Sequence, residues 1–283
     1  MTVPSIVDSH VHLWNPAKLR YAWLDGLPAL NRPFLPADFS SATAGGNVGK
    51  LIFVESGCEP SQSLAEVAWA AGLEKIEPRL KGIVAHASVE KGEAVRRELE
   101  ALAGEPLVKG VRRLLQGETN LDFCRQPKFL AGIRLLAEFG FTFDLCIRSG
   151  QLPGVTELVK RVPQVTFILD HCGKPGVRAG DTEPWASDLK NLAAQPNVVC
   201  KISGLTTEAD HGRWQPGDLE FYLGRALEFF GFDRVLFGGD WPVATLATSY
   251  ERWLETVQQF VSSAGEADRS KLFQTNAERI YHV

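Results

Sequence analysis

Two histidines one residue apart, His10 and His12, stand in the opening segment VDSHVHLW, and an aspartate, Asp240, follows the run VLFGG near the other end of the chain. In an extended strand alternate side chains share a face, which predicts Asp8, His10 and His12 on one side and Ser9 and Val11 on the other. Two imidazoles at that spacing can hold one divalent cation, or position a substrate carboxylate or carbonyl. Asp8, deeper on the same face, would fix an imidazole tautomer. A carboxylate such as Asp240 can ligate a cation and act as general base toward a hydrolytic water. The bland reading makes the histidines satisfied core groups and Asp240 a turn residue ahead of Trp241-Pro242.

Further polar residues close other apolar runs. His171 ends FILDHCGKP and offers a third cation ligand or a donor to a substrate carbonyl oxygen; Lys174 lies just beyond it and suits a substrate carboxylate. Arg112 and Arg113 end the run VKGVRR, with alternation favouring Arg112 alongside Val108 and Gly110. Glu55 and His86 end the second and third runs, Arg148 follows the fifth, and Lys201 and Ser203 share a face at the end of the seventh. The expected site therefore has Asp240 and His171 as catalytic groups. Its cation ligands are His10, His12 and Asp240, with Glu55 or His171 as a further one. Arg112, Arg113, Arg148, Lys174, His86, Trp23 and Trp241 are expected to contact substrate.

These residues need elements to hold them. Eight short runs rich in β-branched residues alternate with helix-like segments: Ile6–Val11, Lys50–Glu55, Gly82–Ala87, Val108–Arg112, Phe141–Ile147, Val165–Leu169, Val198–Ile202 and Val235–Gly239. Nearly continuous apolar runs suit parallel strands covered on both faces. Eight such repeats predict an α/β fold of the (β/α)8 TIM-barrel type, distorted, as a single domain over residues 1–283. An open doubly wound sheet would call for a glycine-rich phosphate loop after its first strand, where HVHLWNP stands instead. In a barrel the strand C-termini carry the chemistry, which puts every candidate above at one mouth. The long connection Leu13–Gly49, with Trp14, Tyr21, Trp23, Phe34 and Phe39, reads as a wall or lid of that mouth. Ser63 with Glu66 reads as a capping box, and Gly140 and Gly231 as helix stops.

Composition narrows the partners. The 283 residues are 45% hydrophobic and carry a formal net charge of -4 with signs mixed along the chain, which gives no reason to expect nucleic acid or an anionic membrane surface. The five cysteines form no CxxC, and the start MTVPSIVDSHVH has no basic segment leading into an apolar one. The odd cysteine count and the lack of that signal suggest a reducing cytoplasm. A GxSxG elbow and an HExxH pair are absent.

Taken together, VDSHVHLW, YAWL, RPFLPADF, ILDHCGKP, KISGL and LFGGDWP resemble the amidohydrolase superfamily, and within it the amidohydrolase-related lactonase branch. That branch includes L-fuconolactonase, L-rhamnonolactonase, 4-sulfomuconolactonase and 2-pyrone-4,6-dicarboxylate lactonase. The resemblance runs from Val7 to about Arg279. It matches the paired first-strand histidines to His10 and His12, the histidine after the sixth strand to His171, and the last-strand aspartate to Asp240. It implies that Asp240 activates water for attack on a lactone carbonyl. It also implies one divalent cation, zinc first among the candidates, or none, since some members work without metal. The fifth run, FTFDLCIRSG, has neither histidine nor lysine, so the second-metal ligands of binuclear members are missing. The expectation is a cytoplasmic monomer or homodimer in sugar catabolism, hydrolysing a sugar-acid lactone of the L-fucono or L-rhamnono type. A carboxylated lactone from aromatic degradation, metal-dependent decarboxylation and a non-catalytic binding barrel are the alternatives.

Overall fold

The computed structural model describes residues 5–283. Eight parallel strands follow one another in sheet order: β1 (Ile6–Val11), β2 (Val48–Val54), β3 (Leu80–His86), β4 (Val108–Arg112), β5 (Thr142–Leu145), β6 (Phe167–Leu169), β7 (Val198–Ile202) and β8 (Val235–Phe237). Each is followed by a helix: α1 (Pro36–Ala42), α2 (Ser63–Gly72), α3 (Arg96–Ala103), α4 (Pro127–Phe139), α5 (Leu152–Arg161), α6 (Trp185–Ala193), α7 (Pro216–Phe230) and α8 (Tyr250–Phe260). Two short helices, α9 (Glu266–Ser270) and α10 (Asn276–Tyr281), close the chain. This is the (β/α)8 barrel. The strands β1, β4 and β7 have the bounds expected from sequence, and the others differ by up to two residues at an end.

The floor of the barrel is a layer of Val7, Ile52, Val54, Val84, Ile168, Val199 and Leu236, capped from below by Ile280 and Tyr281 of α10. Burying such side chains contributes roughly 1.5–3 kcal/mol each. The five cysteines are free and buried, as small core groups. No described helix is long and apolar enough to cross a membrane.

The seam between β8 and β1 positions the site. Asp240 N–H donates to His10 O at 2.9 Å and His12 N–H to Trp241 O at 2.7 Å. Gly238 and Gly239 make this approach possible. A Cβ at 238 would lie 2.8 Å from His10 Cβ, and one at 239 would lie 2.4 Å from the Tyr250 ring. Asp8 locks the same seam. Its carboxylate accepts from Gly239 N–H at 2.8 Å, His10 N–H at 3.0 Å and the Tyr250 hydroxyl at 2.9 Å. The expectation that Asp8 fixes an imidazole is thus corrected. The register of β1 shifts between Asp8 and Val11, so alternation does not carry from Asp8 to the histidines.

Two local readings also change. Ser63 donates to Pro60 O, while the Glu66 carboxylate turns inward to accept from Ser56 N–H, so these residues form no capping box. The Leu13–Gly49 connection is mostly plug: Trp14, Tyr21, Phe34 and Phe39 are buried, and its wall is the partly exposed Trp23. Tyr250→Phe would leave Asp8 Oδ2 without its hydroxyl donor in a buried seam. The expected cost is ~1–3 kcal/mol of unfolding free energy in urea denaturation followed by circular dichroism. An unchanged midpoint would remove Asp8–Tyr250 as the lock.

Candidate active site

Above the apolar floor lies a layer of charge. Lys201 of β7 is fully buried, hydrogen-bonded to Asp144 Oδ2 of β5 and 3.1 Å from Asp170 Oδ1 at the end of β6. Arg112 of β4 donates from Nε to Glu55 Oε1 at 2.7 Å, from Nη2 to Glu55 O at 2.6 Å and from Nη1 to Asp170 Oδ2 at 3.2 Å. Three carboxylates thus share two cations inside the barrel. Such groups are tolerable in low dielectric only because they are paired. Burial pushes Asp170 up, but Lys201, then His10 and Arg112, hold it well below the usual carboxylate range. Glu66, behind Glu55, is pushed up to about 8 by burial and then by Glu55, so it holds its proton at neutral pH.

The imidazoles stand on this layer. His12 Nδ1 lies 2.8 Å from Val54 O. A carbonyl only accepts, so His12 carries its proton on Nδ1 and presents the Nε2 lone pair. His10 Nε2 is 3.1 Å from His12 Nε2, and Asp240 Oδ1 is 3.8 Å and 3.7 Å from those two atoms. His171 Nε2 is 3.9 Å from the same oxygen, and its Nδ1 pairs with Ser203 Oγ at 2.9 Å. Gly204, with φ +61°, admits the His171 ring: a Cβ there would lie 2.4 Å from Nδ1.

The backbone at the mouth is strained to aim these groups. Asp240, His171, Cys172 and Lys174 all have φ between 51° and 54°, a region costly for residues with a Cβ.

Burial lowers His171 to about 4 against the opposing pull of Asp240, and holds His10 well below the usual histidine range. Asp240 is pushed up by burial, but the imidazoles, His171 foremost, keep it well below the usual carboxylate range. At neutral pH the Asp240 carboxylate therefore faces neutral His10 and His171 rings.

Three donors, His10 Nε2, His12 Nε2 and Asp240 Oδ1, converge closely enough to hold a metal ion. Ligand atoms of a tetrahedral cation at 2.0–2.2 Å lie roughly 3.4 Å apart, close to the spacings here. The residues fit one divalent cation. A second donor group, His10, Asp170 and His171, is also close-set, but the Lys201 ammonium already sits 3.1 Å from Asp170 Oδ1 and 3.2 Å from His10 Nδ1.

A family model described as amidohydrolase matches residues 7–283. The chain belongs to the amidohydrolase family. It is 31% identical to an L-fucono-1,5-lactonase of Burkholderia multivorans, over 97% of this chain and 95% of that one. It is 29% identical to an uncharacterized protein, y4mH, of Sinorhizobium fredii over 99% of both. Crystal structures of a Burkholderia multivorans amidohydrolase, one with HEPES and one with zinc bound, superpose with TM-scores of 0.89 and 0.88 at 31% identity. Both cover 99% of this chain and 100% of the other.

In this amidohydrolase the site opens into a cavity of about 450 Å³ lined by His12, Arg112, His171, Lys174, Asp240 and Trp23. His10 and Glu55 lie beneath it, buried. The remaining expected contacts are elsewhere. Arg113 is tied to Glu90 and Glu118, Arg148 is exposed, and Trp241 is buried against Phe34 and Phe39. His86 does not line the cavity, and its Nε2 is buried without a hydrogen-bond partner. Lys201 is a strut inside the barrel, not a pocket group.

Sequence reasoning missed Asp144 and Asp170, although each interrupts an apolar run and so demanded a buried partner. It also missed Gln116, Glu59 and Thr207, which line the cavity from loops that carry no motif.

The depressed His171 value sets a pH dependence. Unfolded, the ring takes a proton near 6.5; folded, near 4. Between those values the unfolded chain binds more protons, so stability is lost as pH falls through that window. With chelator present, unfolding free energy should fall toward pH 4, by on the order of 3 kcal/mol from this ring alone. His171→Asn should flatten the slope; an unchanged slope would show the folded ring titrating normally.

Proposed function

We propose that this amidohydrolase hydrolyses a neutral sugar-acid lactone of the L-fucono or L-rhamnono type to its aldonic acid. The observation that carries the reading is an anionic Asp240 converging with His10, His12 and His171, in a cavity without an uncommitted arginine. Arg112 already serves two carboxylates and a carbonyl. Lys174 donates to Gln116 Oε1 at 2.6 Å and lies 3.8 Å from Glu208. Asp240 and Glu59 balance these two cations in the lining. A polyhydroxylated ring suits such paired polar groups and the Trp23 face; a dicarboxylate needs free cationic anchors. The relatedness to the Burkholderia L-fucono-1,5-lactonase supports the same substrate class.

His10, His12 and Asp240 would hold one divalent cation, zinc first, by analogy with the zinc-bound Burkholderia structure. When bound, such an ion supplies Lewis-acid polarisation of the carbonyl. Asp240 takes a proton from the attacking water as the water oxygen bonds to the carbonyl carbon. With Ser203 donating to its Nδ1, His171 presents an Nε2–H to the developing oxyanion. Collapse of the tetrahedral centre breaks the ring C–O bond, and the proton held by Asp240 passes to the leaving ring oxygen. The product is the open hydroxy acid.

Asp240→Asn should lower kcat/KM for L-fucono-1,5-lactone by roughly 10²–10⁴-fold with the fold intact by circular dichroism; activity within a few-fold of wild type would overturn the base assignment. In a lactone panel followed by acid release, neutral aldonolactones should be hydrolysed in preference to 2-pyrone-4,6-dicarboxylate and muconolactones. Preference for the carboxylated lactones would reverse the substrate reading.

A further inference from the structure

His12 has its ring proton fixed by Val54 O, but His10 does not. His10 Nδ1 faces two partners of opposite character. Lys201 Nζ, a donor, lies 3.2 Å away in hydrogen-bond geometry, and Asp170 Oδ1, an acceptor, lies 3.3 Å away. An ammonium can only donate, so a bond from Lys201 requires a lone pair on Nδ1 and the ring proton on Nε2. That proton then points at His12 Nε2, 3.1 Å off, whose lone pair accepts it. Arg112 Nη1, a donor 3.4 Å from His10 Nε2, is the longer contact there, so the nearer Lys201 and His12 favour this arrangement, in which the ring offers no lone pair to a cation.

The other arrangement is equally complete. Asp170 Oδ2 accepts from Arg112 Nη1 at 3.2 Å, while Oδ1 is buried and ion-paired with the Lys201 ammonium at 3.1 Å without hydrogen-bond geometry. With the ring proton on Nδ1, that oxygen becomes its acceptor at 3.3 Å, and Nε2 turns its lone pair to the point where His12 Nε2 and Asp240 Oδ1 converge. Lys201 keeps Asp144 and Asp170 as partners, and the Tyr281 ring lies on its free side, 5.9 Å from Nζ to centroid.

We propose that Lys201 and Asp170 are positioning residues that choose the tautomer of His10, and that entry of a divalent cation moves the ring proton from Nε2 to Nδ1. This rests on the reading that His10, His12 and Asp240 hold that cation. Nε2 gives its proton to water and Nδ1 takes one from water, so the ring stays neutral and no net proton is exchanged. The lysine and the aspartate keep their charges. Buried side chains behind the site would thereby govern cation affinity without touching either cation or substrate.

The test reads the ring directly. Imidazole ¹⁵N–¹H correlation spectra of the full chain, first with chelator and then with zinc, assign the protonated nitrogen of His10, identified by its loss in His10→Gln. The expected result is a proton on Nε2 with chelator and on Nδ1 with zinc. Asp170→Asn replaces the acceptor with a group whose amide can donate to Nδ1. It should hold the proton on Nε2 and weaken zinc binding roughly 10–100-fold in chelator competition. Lys201→Met should place the proton on Nδ1 even with chelator. A His10 proton on the same nitrogen in both wild-type spectra overturns the proposal without any variant, as does Asp170→Asn with unchanged spectrum and affinity. Zinc affinity unaffected by His12→Ala would instead overturn the cation reading, and this inference with it.

Discussion

Inside the barrel the Lys201 ammonium is shared by Asp144 and Asp170 with no solvent contact. A cation in so dry a place persists only with anionic partners held at short range, and anions there persist only with the cation. Burial works against both sides of the pair, yet the carboxylates keep Lys201 charged, with its pKa above the usual lysine range. Everything at the mouth is arranged around that fixed charge. It lies against Asp170 and His10, two of the three donors of the second close-set group His10, Asp170 and His171. It anchors Asp170, which in turn receives Arg112, whose other side is closed by Glu55. The result is a rigid polar platform under two histidines, with room for one exogenous cation.

The rim depends on a second constraint, close approach of backbone. Glycines at 238 and 239 let β8 press against β1, and Gly204 leaves space for the His171 ring. The left-handed backbone at Asp240 and His171 then turns their side chains toward the same point as His10 and His12. The strain is offset by the barrel around it, through the Asp8 lock at the seam and the strand ladder on either side. The short motifs GGDW and KISGL thus state a steric requirement: a Cβ at 238 would collide with His10, one at 239 with Tyr250 and Asp8, and one at 204 with His171.

Much of this was legible in the sequence because the signals were periodic or positional. Eight apolar runs separated by helical segments specify the barrel, and strand-end placement brings His12, Arg112, His171 and Asp240 to one mouth. What alternation could not supply was orientation past an irregularity. The register shift in β1 sends Asp8 to Tyr250 instead of to an imidazole. Arg113 and Arg148 do not line the cavity for a similar reason: their proximity to a strand end says nothing of the carboxylates that draw Arg113 away, or of the solvent that takes Arg148. Asp144 and Asp170 were hidden because pairing across a barrel joins residues far apart in the chain, and only their unlikeness to the apolar neighbours marks them. The loop residues Gln116, Glu59 and Thr207 carry no local pattern at all; their place is set by the fold.

With Lys201 against Asp170 and His10, one close-set donor group, His10, His12 and Asp240, is left open to a cation. The most direct measurement is the zinc content of the purified chain after dialysis against zinc and removal of loosely bound ion, by elemental analysis against protein concentration. The account predicts one zinc per chain. Two zinc ions per chain would require Lys201 to yield its place, and none would remove the cation site altogether; either result would contradict it.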